Sequence, residues 1–358
     1  MPRKSKKTNI YEEPVIDALP VSTLTYHPPI LTEDTPPVSP IPVLPQLGVA
    51  LGLLIFTFGV TYIGTTGIQK EQTSLDVRVE TLPAQTNIQK QSKEDAFKGV
   101  VLEAQSAVVW DVQEQRVLFN KNADVQRPLA SITKLMTALV AYELLDENER
   151  VSISAEAIRE DGDSGFSIGE RFTVRNLTDL TLITSSNDGA AALGSKAGAV
   201  IDTTADPEAI FVTAMNVKAE ELGLTKTYFK NSTGLDLSET EAGAFGSARD
   251  IAHLMEYVIT NMAEAVMLTS TDTATVKNTS GEYHTAKNTN PVTDELSGLI
   301  ASKTGYTTLS GGNLVIAQNV GLNHPIIIVV LGSSYDGRFT DTIELAKRTK
   351  EYVSVVSE

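Results

Sequence analysis

A serine and a lysine stand three positions apart at the start of an apolar run that reads LASITKLMTAL over 129–139. Positions i and i+3 lie on one face of a helix, so Ser131 and Lys134 would stack about one turn apart. One interpretation is a helix N-cap serine followed by a lysine that extends to the surface. The other is a nucleophile beside its base, and this spacing alone leaves both open.

Two later motifs favour the catalytic interpretation. The letters SSN at 185–187 come just before a predicted helix, and KTG at 303–305 lies on a predicted strand that a hairpin follows. Each alone has an ordinary explanation, as turn residues or as a strand lysine beside a glycine bulge. In this order the three motifs match the signature of penicillin-binding proteins and active-site-serine β-lactamases.

The chemistry explains why these residue types are needed. A serine hydroxyl is a poor nucleophile without an adjacent base. A lysine amine serves as that base when it is neutral, and burial or a second cation lowers its pKa. The apolar surroundings of Lys134 predict the first effect, and Lys303 would supply the second. Ser185 would relay a proton to the leaving amine, and Asn187 would hydrogen-bond a substrate amide.

The KTG motif fits a substrate that ends in a free carboxylate. Lys303 supplies a cation and Thr304 a hydroxyl to hold that carboxylate. Gly305 would leave room for a substrate backbone to lie along the strand. The developing oxyanion needs two N–H donors, and the backbone of Ser131 and of Tyr306 would provide them.

The elements around these motifs predict an α+β domain with an antiparallel sheet. Strands are predicted at 106–112, 116–124, 299–307, 312–320 and 325–334, and helices at about 131–145, 207–223, 247–259 and 339–353. Strands at both ends of the domain with helices between them indicate this class.

The chain of 358 residues divides by composition into four parts. Residues 1–46 are predicted to be a disordered proline-rich tail, 47–68 a single transmembrane anchor, 69–95 a polar stalk and 96–358 the catalytic domain. No charged residue lies between Asp34 and Lys70, and a cleaved signal peptide is the main alternative for this run. The positive-inside rule leaves the orientation of the anchor open.

Bulk composition excludes several classes of protein. The net charge of −16 argues against nucleic-acid binding. The absence of cysteine removes disulfides, thiolate catalysis and cysteine-ligated metals. The four histidines, His27, His253, His284 and His324, do not accompany a GxSxG motif, which disfavours a Ser-His-Asp hydrolase. We expect no metal or other cofactor.

From about residue 97 to 354 the chain resembles the D-alanyl-D-alanine carboxypeptidases, the low-molecular-mass penicillin-binding proteins. Four segments resemble segments of that family and occur in the same order along the chain: RPLASITKLMTALVAYE, LTLITSSNDGAAAL, SKTGYTTLSGGNLV and DGRFTDTIELAK. The resemblance implies a β-lactamase-like transpeptidase fold with a five-stranded antiparallel sheet flanked by helices. It also implies an acyl-enzyme on Ser131 with Lys134 as general base.

The same resemblance implies partners and location. The substrate would be a peptidoglycan stem peptide ending in D-Ala-D-Ala, and β-lactams would be covalent inhibitors. Arg338 matches an arginine that assists with the substrate carboxylate just before the final helix. Cell-wall substrate implies a cytoplasmic N-terminus, an extracytoplasmic catalytic domain and a single-pass location in a bacterial cell membrane.

Two departures from the family pattern are visible. Ser186 stands where glycine or alanine is usual, and we expect it to point away with little effect. Some members carry an arginine in the segment matching KNTNP, where Thr289 stands here. This departure leaves one substrate contact open.

Three alternatives use the same fold. A D,D-endopeptidase that cuts peptidoglycan cross-links would need the same residues. A non-catalytic wall-binding protein is disfavoured because the motifs are intact. A class A β-lactamase would need a loop with a glutamate that activates the deacylating water. The region that holds Glu160 and Glu170 does not resemble such a loop.

Overall fold

The structure, a computed structural model, describes residues 96–162 and 164–354. The tail, anchor and stalk predicted for 1–46, 47–68 and 69–95 lie outside these residues. Among the helices that the structure describes, none combines the length and apolar character needed to cross a membrane.

The described strands fall into one large and three small antiparallel sheets. They are β1 (Ser106–Asp111), β2 (Arg116–Lys121), β3 (Arg127–Pro128), β4 (Arg150–Ser152), β5 (Arg171–Thr173), β6 (Tyr228–Phe229), β7 (Ala244–Gly246), β8 (Thr273–Lys277), β9 (Tyr283–Lys287), β10 (Leu299–Thr307), β11 (Gly311–Asn319) and β12 (Pro325–Ser333). The large sheet has five strands in the order β10-β11-β12-β1-β2, with antiparallel pairing throughout. This confirms the predicted α+β class and five-stranded sheet.

The sequence of β12 shows why this sheet is central. Its run IIIVVL is buried at every position. Side chains alternate between the two faces of a strand, and alternate residues of this run belong to two different apolar clusters. One cluster includes α-helical residues from the middle of the chain, and the other includes Phe339 and Leu345 from the last helix. A strand covered on both faces needs a continuous apolar sequence.

The helices lie between and after these strands. They are α1 (Lys134–Leu144), α2 (Val174–Ile183), α3 (Asn187–Ile201), α4 (Pro207–Glu221), α5 (Ala248–Asn261), α6 (Ala263–Val266) and α7 (Gly337–Ser354). Side-chain caps fix several starts: Thr173 accepts from the N–H of Asn176, and Ser247 accepts from that of Asp250.

The helix predicted to begin near Ser131 begins instead at Lys134. The four residues Ala130–Thr133 form a 3-10 helix that precedes α1. Ala130 has a φ of 48°, in the left-handed region that residues with a side chain rarely occupy. The nucleophile candidate therefore lies on a tight turn at the entrance to the helix rather than within it.

Candidate active site

The turn that carries Ser131 is held by its own side chains and by the large sheet. The hydroxyl of Thr133 donates a 2.7 Å hydrogen bond to the carbonyl of Ala130. Asn313 on β11 donates from Nδ2 to the carbonyls of Pro128 and Leu129, both at 3.0 Å. The nucleophile turn is thus tied to a strand that lies far along the chain.

The amine of Lys134 lies at the centre of the site. The side chain is fully buried, and Nζ lies 2.9 Å from Ser131 Oγ, 2.6 Å from Asn187 Oδ1 and 2.7 Å from the carbonyl oxygen of Thr233. Burial lowers the pKa of Lys134 to about 7, against an opposing effect of the negative charge of Glu160. A large share of the amine is therefore neutral near neutral pH.

The three partners of Lys134 decide which way protons can move. The amide oxygen of Asn187 and the carbonyl of Thr233 can only accept hydrogen bonds. A neutral amine has two hydrogens and one lone pair, so these two oxygens engage both hydrogens. The lone pair is left for the hydroxyl hydrogen of Ser131. This arrangement orients Lys134 as a proton acceptor toward the nucleophile.

A second buried lysine holds the second motif. Lys303 on β10 is almost fully buried, and its Nζ donates to Ser185 Oγ and to the carbonyl of Thr304, both at 2.8 Å. Burial lowers the pKa of Lys303 well below its usual value, and the charges of Lys134 and Arg338 lower it further. Ser185 adopts a left-handed φ of 60°. Backbone strain of this kind is typical of functional sites.

The structure brings five predicted residues together around the two amines. Ser131, Lys134 and Asn187 share one hydrogen-bonded group, and Ser185 and Lys303 share the second. The side-chain amide of Asn187 also donates to the carbonyl of Asp161. The segment before 163 therefore contacts the same motif.

The remaining predicted residues lie along the end of β10. Thr304 Oγ1 lies 2.6 Å from Thr289 Oγ1. Arg338 was predicted just before the final helix, but α7 begins at Gly337, so Arg338 lies in its first turn. Its side chain is buried, and its Nη1 donates to the carbonyl of Gly305 at 2.8 Å. The guanidinium of Arg338 lies 4.4 Å from the ring centre of Tyr335. The ring of Tyr306 packs against that of Tyr335, and Tyr306 is half exposed.

The sequence around this site matches that of a known protein family. The sequence model of the D-alanyl-D-alanine carboxypeptidase family matches residues 89–335. The chain belongs to the D-alanyl-D-alanine carboxypeptidase family. This confirms the family resemblance found in the sequence.

Individual relatives in this family carry two different activities in their names. The chain is 33% identical over 238 residues to a D-alanyl-D-alanine carboxypeptidase of Bacillus subtilis, covering 65% of this chain and 58% of that protein. The chain thus spans less than two thirds of that relative. It is 28% identical over 248 residues to a D-alanyl-D-alanine endopeptidase of Escherichia coli, covering 66% of this chain and 72% of the relative.

Solved structures of similar proteins share the fold. An ampicillin-bound penicillin-binding protein from Listeria monocytogenes is 28% identical, with a TM-score of 0.57. The match covers 70% of this chain and 98% of that chain. The likeness therefore extends over the described domain.

Gly305 lies directly against the turn that carries Ser131. A Cβ at residue 305 would lie 2.8 Å from the carbonyl oxygen of Leu129 and 3.2 Å from the backbone nitrogen of Ser131. These atoms belong to the nucleophile turn and cannot swing aside as a side chain can. The glycine therefore lets β10 pack directly against the nucleophile turn. The room that it would leave for a substrate backbone along the strand stays a prediction.

Ser186 is more engaged than the sequence suggested. Its side chain is buried, accepts from the N–H of Gly189 at 2.9 Å as the cap of α3, and lies 2.6 Å from Ser164 Oγ. Both of these contacts are with residues other than Ser131, Lys134 and Lys303. They nevertheless anchor the start of the helix on which Asn187 lies.

Asn313 is the functional-site residue that sequence reasoning missed most completely. It is fully buried, and besides binding the nucleophile turn its Oδ1 accepts from the N–H of Gly332 at 2.8 Å. The sequence predicts Asn313 on the strand at 312–320, but a polar residue beside the glycines of SGGN gives no sign of being buried against the nucleophile turn. Only the pairing of Gly305 with Asn313 across β10 and β11 explains its place.

The two glutamates considered for a β-lactamase loop differ in environment. Glu170 lies 2.6 Å from His284 Nε2 and accepts a 2.8 Å bond from Asn278. Glu160 acts on the pKa of Lys134 through its charge. Within 96–162 and 164–354, no group of three or more His, Cys, Asp or Glu side chains is placed to hold a metal ion.

Proposed function

We propose that the chain is a serine D,D-carboxypeptidase that removes the terminal D-Ala from peptidoglycan pentapeptides. The observation that carries the proposal is the amine of Lys134, whose two acceptor partners leave its lone pair for Ser131. Such a base activates a hydroxyl for acyl transfer. The carboxypeptidase name of the Bacillus subtilis relative supports the same activity.

The site residues supply each step of the reaction. Lys134 takes the proton of Ser131, and Oγ attacks the carbonyl carbon of the penultimate D-Ala. The N–H groups of Ser131 and Tyr306 bind the resulting oxyanion. The proton reaches the leaving amine through Ser185, and the C–N bond breaks to release D-Ala. Water then hydrolyses the ester and restores Ser131.

Substrate orientation rests on the other predicted residues. Asn187 binds a substrate amide, and the terminal carboxylate is held at Thr304 with the nearby charges of Lys303 and Arg338. A β-lactam resembles this substrate and would acylate Ser131. The ampicillin-bound Listeria protein of the same fold supports that expectation.

Cleavage of peptidoglycan cross-links is the second candidate, because the Escherichia coli relative is named an endopeptidase. A non-catalytic wall-binding protein is the third. The full-length wild-type chain and Ser131→Ala should be incubated with a pentapeptide ending in D-Ala-D-Ala, a cross-linked dimer and a labelled β-lactam. Release of D-Ala and stable labelling, both lost in the variant, support the carboxypeptidase. Preference for the dimer identifies an endopeptidase, and neither product nor label identifies a wall-binding protein.

We also propose that residues 47–68 anchor the chain in a bacterial cell membrane, with the N-terminus inside and the catalytic domain outside. The uncharged run and the wall-directed family support this topology. External protease should remove the catalytic domain from spheroplasts. Protection of that domain in intact spheroplasts would contradict the proposal.

A further inference from the structure

The hydroxyl of Thr289 touches the KTG motif directly. Its Oγ1 lies 2.6 Å from Oγ1 of Thr304, which is the distance of a short hydroxyl–hydroxyl hydrogen bond. Thr289 is half-buried and Thr304 is buried. Thr304 lies on β10, and Thr289 lies 15 positions earlier, in the segment between β9 and β10.

The backbone around Thr289 is fixed on both sides. Its N–H donates to the carbonyl of Ile183, at the end of α2, at 3.1 Å. The neighbouring Asn288 is buried and donates to the carbonyls of Thr269 and Thr271 at 2.9 and 2.8 Å. Asn290 is also buried, and its N–H donates to Asn288 Oδ1 at 2.8 Å. The backbone position of Thr289 is therefore set by the fold.

The hydroxyl pair of Thr289 and Thr304 has one hydrogen more than the contact between the two uses. Each hydroxyl has one hydrogen and two lone pairs. Within the described residues, the mutual contact is the one hydrogen bond that either hydroxyl makes. It uses one hydrogen and leaves the second free to point at an external acceptor. A hydroxyl that already accepts a hydrogen bond also donates more strongly.

We propose that Thr289 is a positioning residue for Thr304, and that the two form one hydroxyl pair that binds the terminal carboxylate of the substrate. In this pair Thr289 donates to Thr304, and Thr304 donates to a carboxylate oxygen. The proposal rests on the carboxypeptidase function above. It assigns a role to the residue that stands where some relatives carry an arginine.

The charges nearby fit this choice of residue. Two buried basic side chains already lie beside this part of β10, since Lys303 contacts the carbonyl of Thr304 and Arg338 that of Gly305. A third cation would be repelled by these two at short range. A neutral hydroxyl adds a directed hydrogen bond without that repulsion.

The test uses the full-length chain with Thr289→Val, Thr289→Ser and the control Thr285→Val. Valine keeps the shape and removes the hydroxyl, serine keeps the hydroxyl, and Thr285 is an exposed threonine on β9. For a pentapeptide with a free C-terminus, Thr289→Val should raise KM about 3- to 10-fold, the size of one net hydrogen bond. It should leave kcat within about twofold, and Thr289→Ser and Thr285→Val should behave as wild type.

The C-terminal amide of the same peptide separates a carboxylate role from a structural one. Thr289→Val should not weaken reaction with the amide, because the charged acceptor is absent. The double variant with Thr304→Val should lose little more than Thr304→Val alone, because residues of one unit are non-additive. An equal loss for acid and amide, full additivity, or no loss at all would overturn the proposal.

A β-lactam and its methyl ester make the test independent of peptide turnover. If the wild-type chain releases no D-Ala, the proposed function fails, but acylation by the two compounds still measures the pair. A loss confined to the free acid supports the role of Thr289 even then. The same loss with acid and ester contradicts it.

Discussion

Gly305 and Ser131 lie so close that one methyl group at residue 305 would come 3.2 Å from the backbone nitrogen of Ser131. The same methyl group would come 2.8 Å from the carbonyl oxygen of Leu129. That carbonyl also accepts from Asn313, so it cannot turn away without losing a hydrogen bond. The spacing between β10 and the nucleophile turn is therefore set by backbone atoms on both sides.

We expect Gly305→Ala to damage the site and weaken the fold. Overpacking of a tight contact costs about 1–3 kcal/mol, and moving the Ser131 N–H should slow β-lactam acylation at least about tenfold. Thermal unfolding and stopped-flow acylation measure the two effects. Gly321→Ala is the control, because its Cβ would meet only His324 Cβ at 3.8 Å. Wild-type acylation by Gly305→Ala would show that this contact does not position the nucleophile.

The pKa of Lys134 predicts how the reaction depends on pH. The amine accepts the proton of Ser131 only when it is deprotonated, and its pKa lies at about 7. The acylation rate should rise with pH and level off above this value. Below it, the rate should fall about tenfold per pH unit. A rate that does not change from about pH 5.5 to 8.5 would rule out Lys134 as the titrating base.

The charge of Glu160 should move that profile in a defined direction. A nearby carboxylate favours the protonated amine and so raises the pKa of Lys134. Glu160→Gln should therefore shift the rising limb to lower pH and speed acylation below neutrality. Glu156→Gln is the matched control, since Glu156 is exposed on the same segment. If the rising part of the pH profile stays in place or moves to higher pH in Glu160→Gln, the charge of Glu160 does not raise the pKa of Lys134.

Ser186 offers a test of how α3 holds Asn187. Ser186→Ala removes the cap of α3 and the bond to Ser164, which should cost about 1 kcal/mol of unfolding free energy. Ser164→Ala removes only the second bond and should cost less. Both should slow acylation, because the start of α3 carries the amide that binds Lys134. Equal stability of wild type and Ser186→Ala in urea titrations would contradict this assignment.

The sequence was sufficient to predict the elements whose pattern is local. β12, α4 and α5 were predicted to within a few residues of their observed ends. The motif residues Ser131, Lys134, Ser185, Asn187 and Lys303 were found because their types carry chemistry. Their grouping around two amines agrees with that reading.

Long-range packing accounts for what the sequence could not predict. The 3-10 start at Ala130 depends on contact with β10 and β11, which lie more than 150 residues later. Asn313 was predicted on a strand, but the sequence does not show that its side chain reaches the carbonyl of Leu129. Ser186 was expected to have little effect, because its contact with Ser164, 22 positions earlier, cannot be seen in the sequence. Each of these roles arises from a neighbour that no local pattern identifies.

The sequence separations within the site bear on when the enzyme becomes reactive during folding. Ser131 and Lys134 are three residues apart, but the partners that orient the amine lie 53 and 99 positions away. The bond from Lys303 to Ser185 spans 118 positions. Closing loops of this length costs entropy before the contacts can stabilise the chain, so we expect these contacts to form late in folding. We therefore expect Ser131 and Lys134 to lack these partners, and hence their reactivity, in a nascent or partly folded chain. Acylation by a labelled β-lactam should accordingly report the last stage of folding, when β10 closes onto the nucleophile turn.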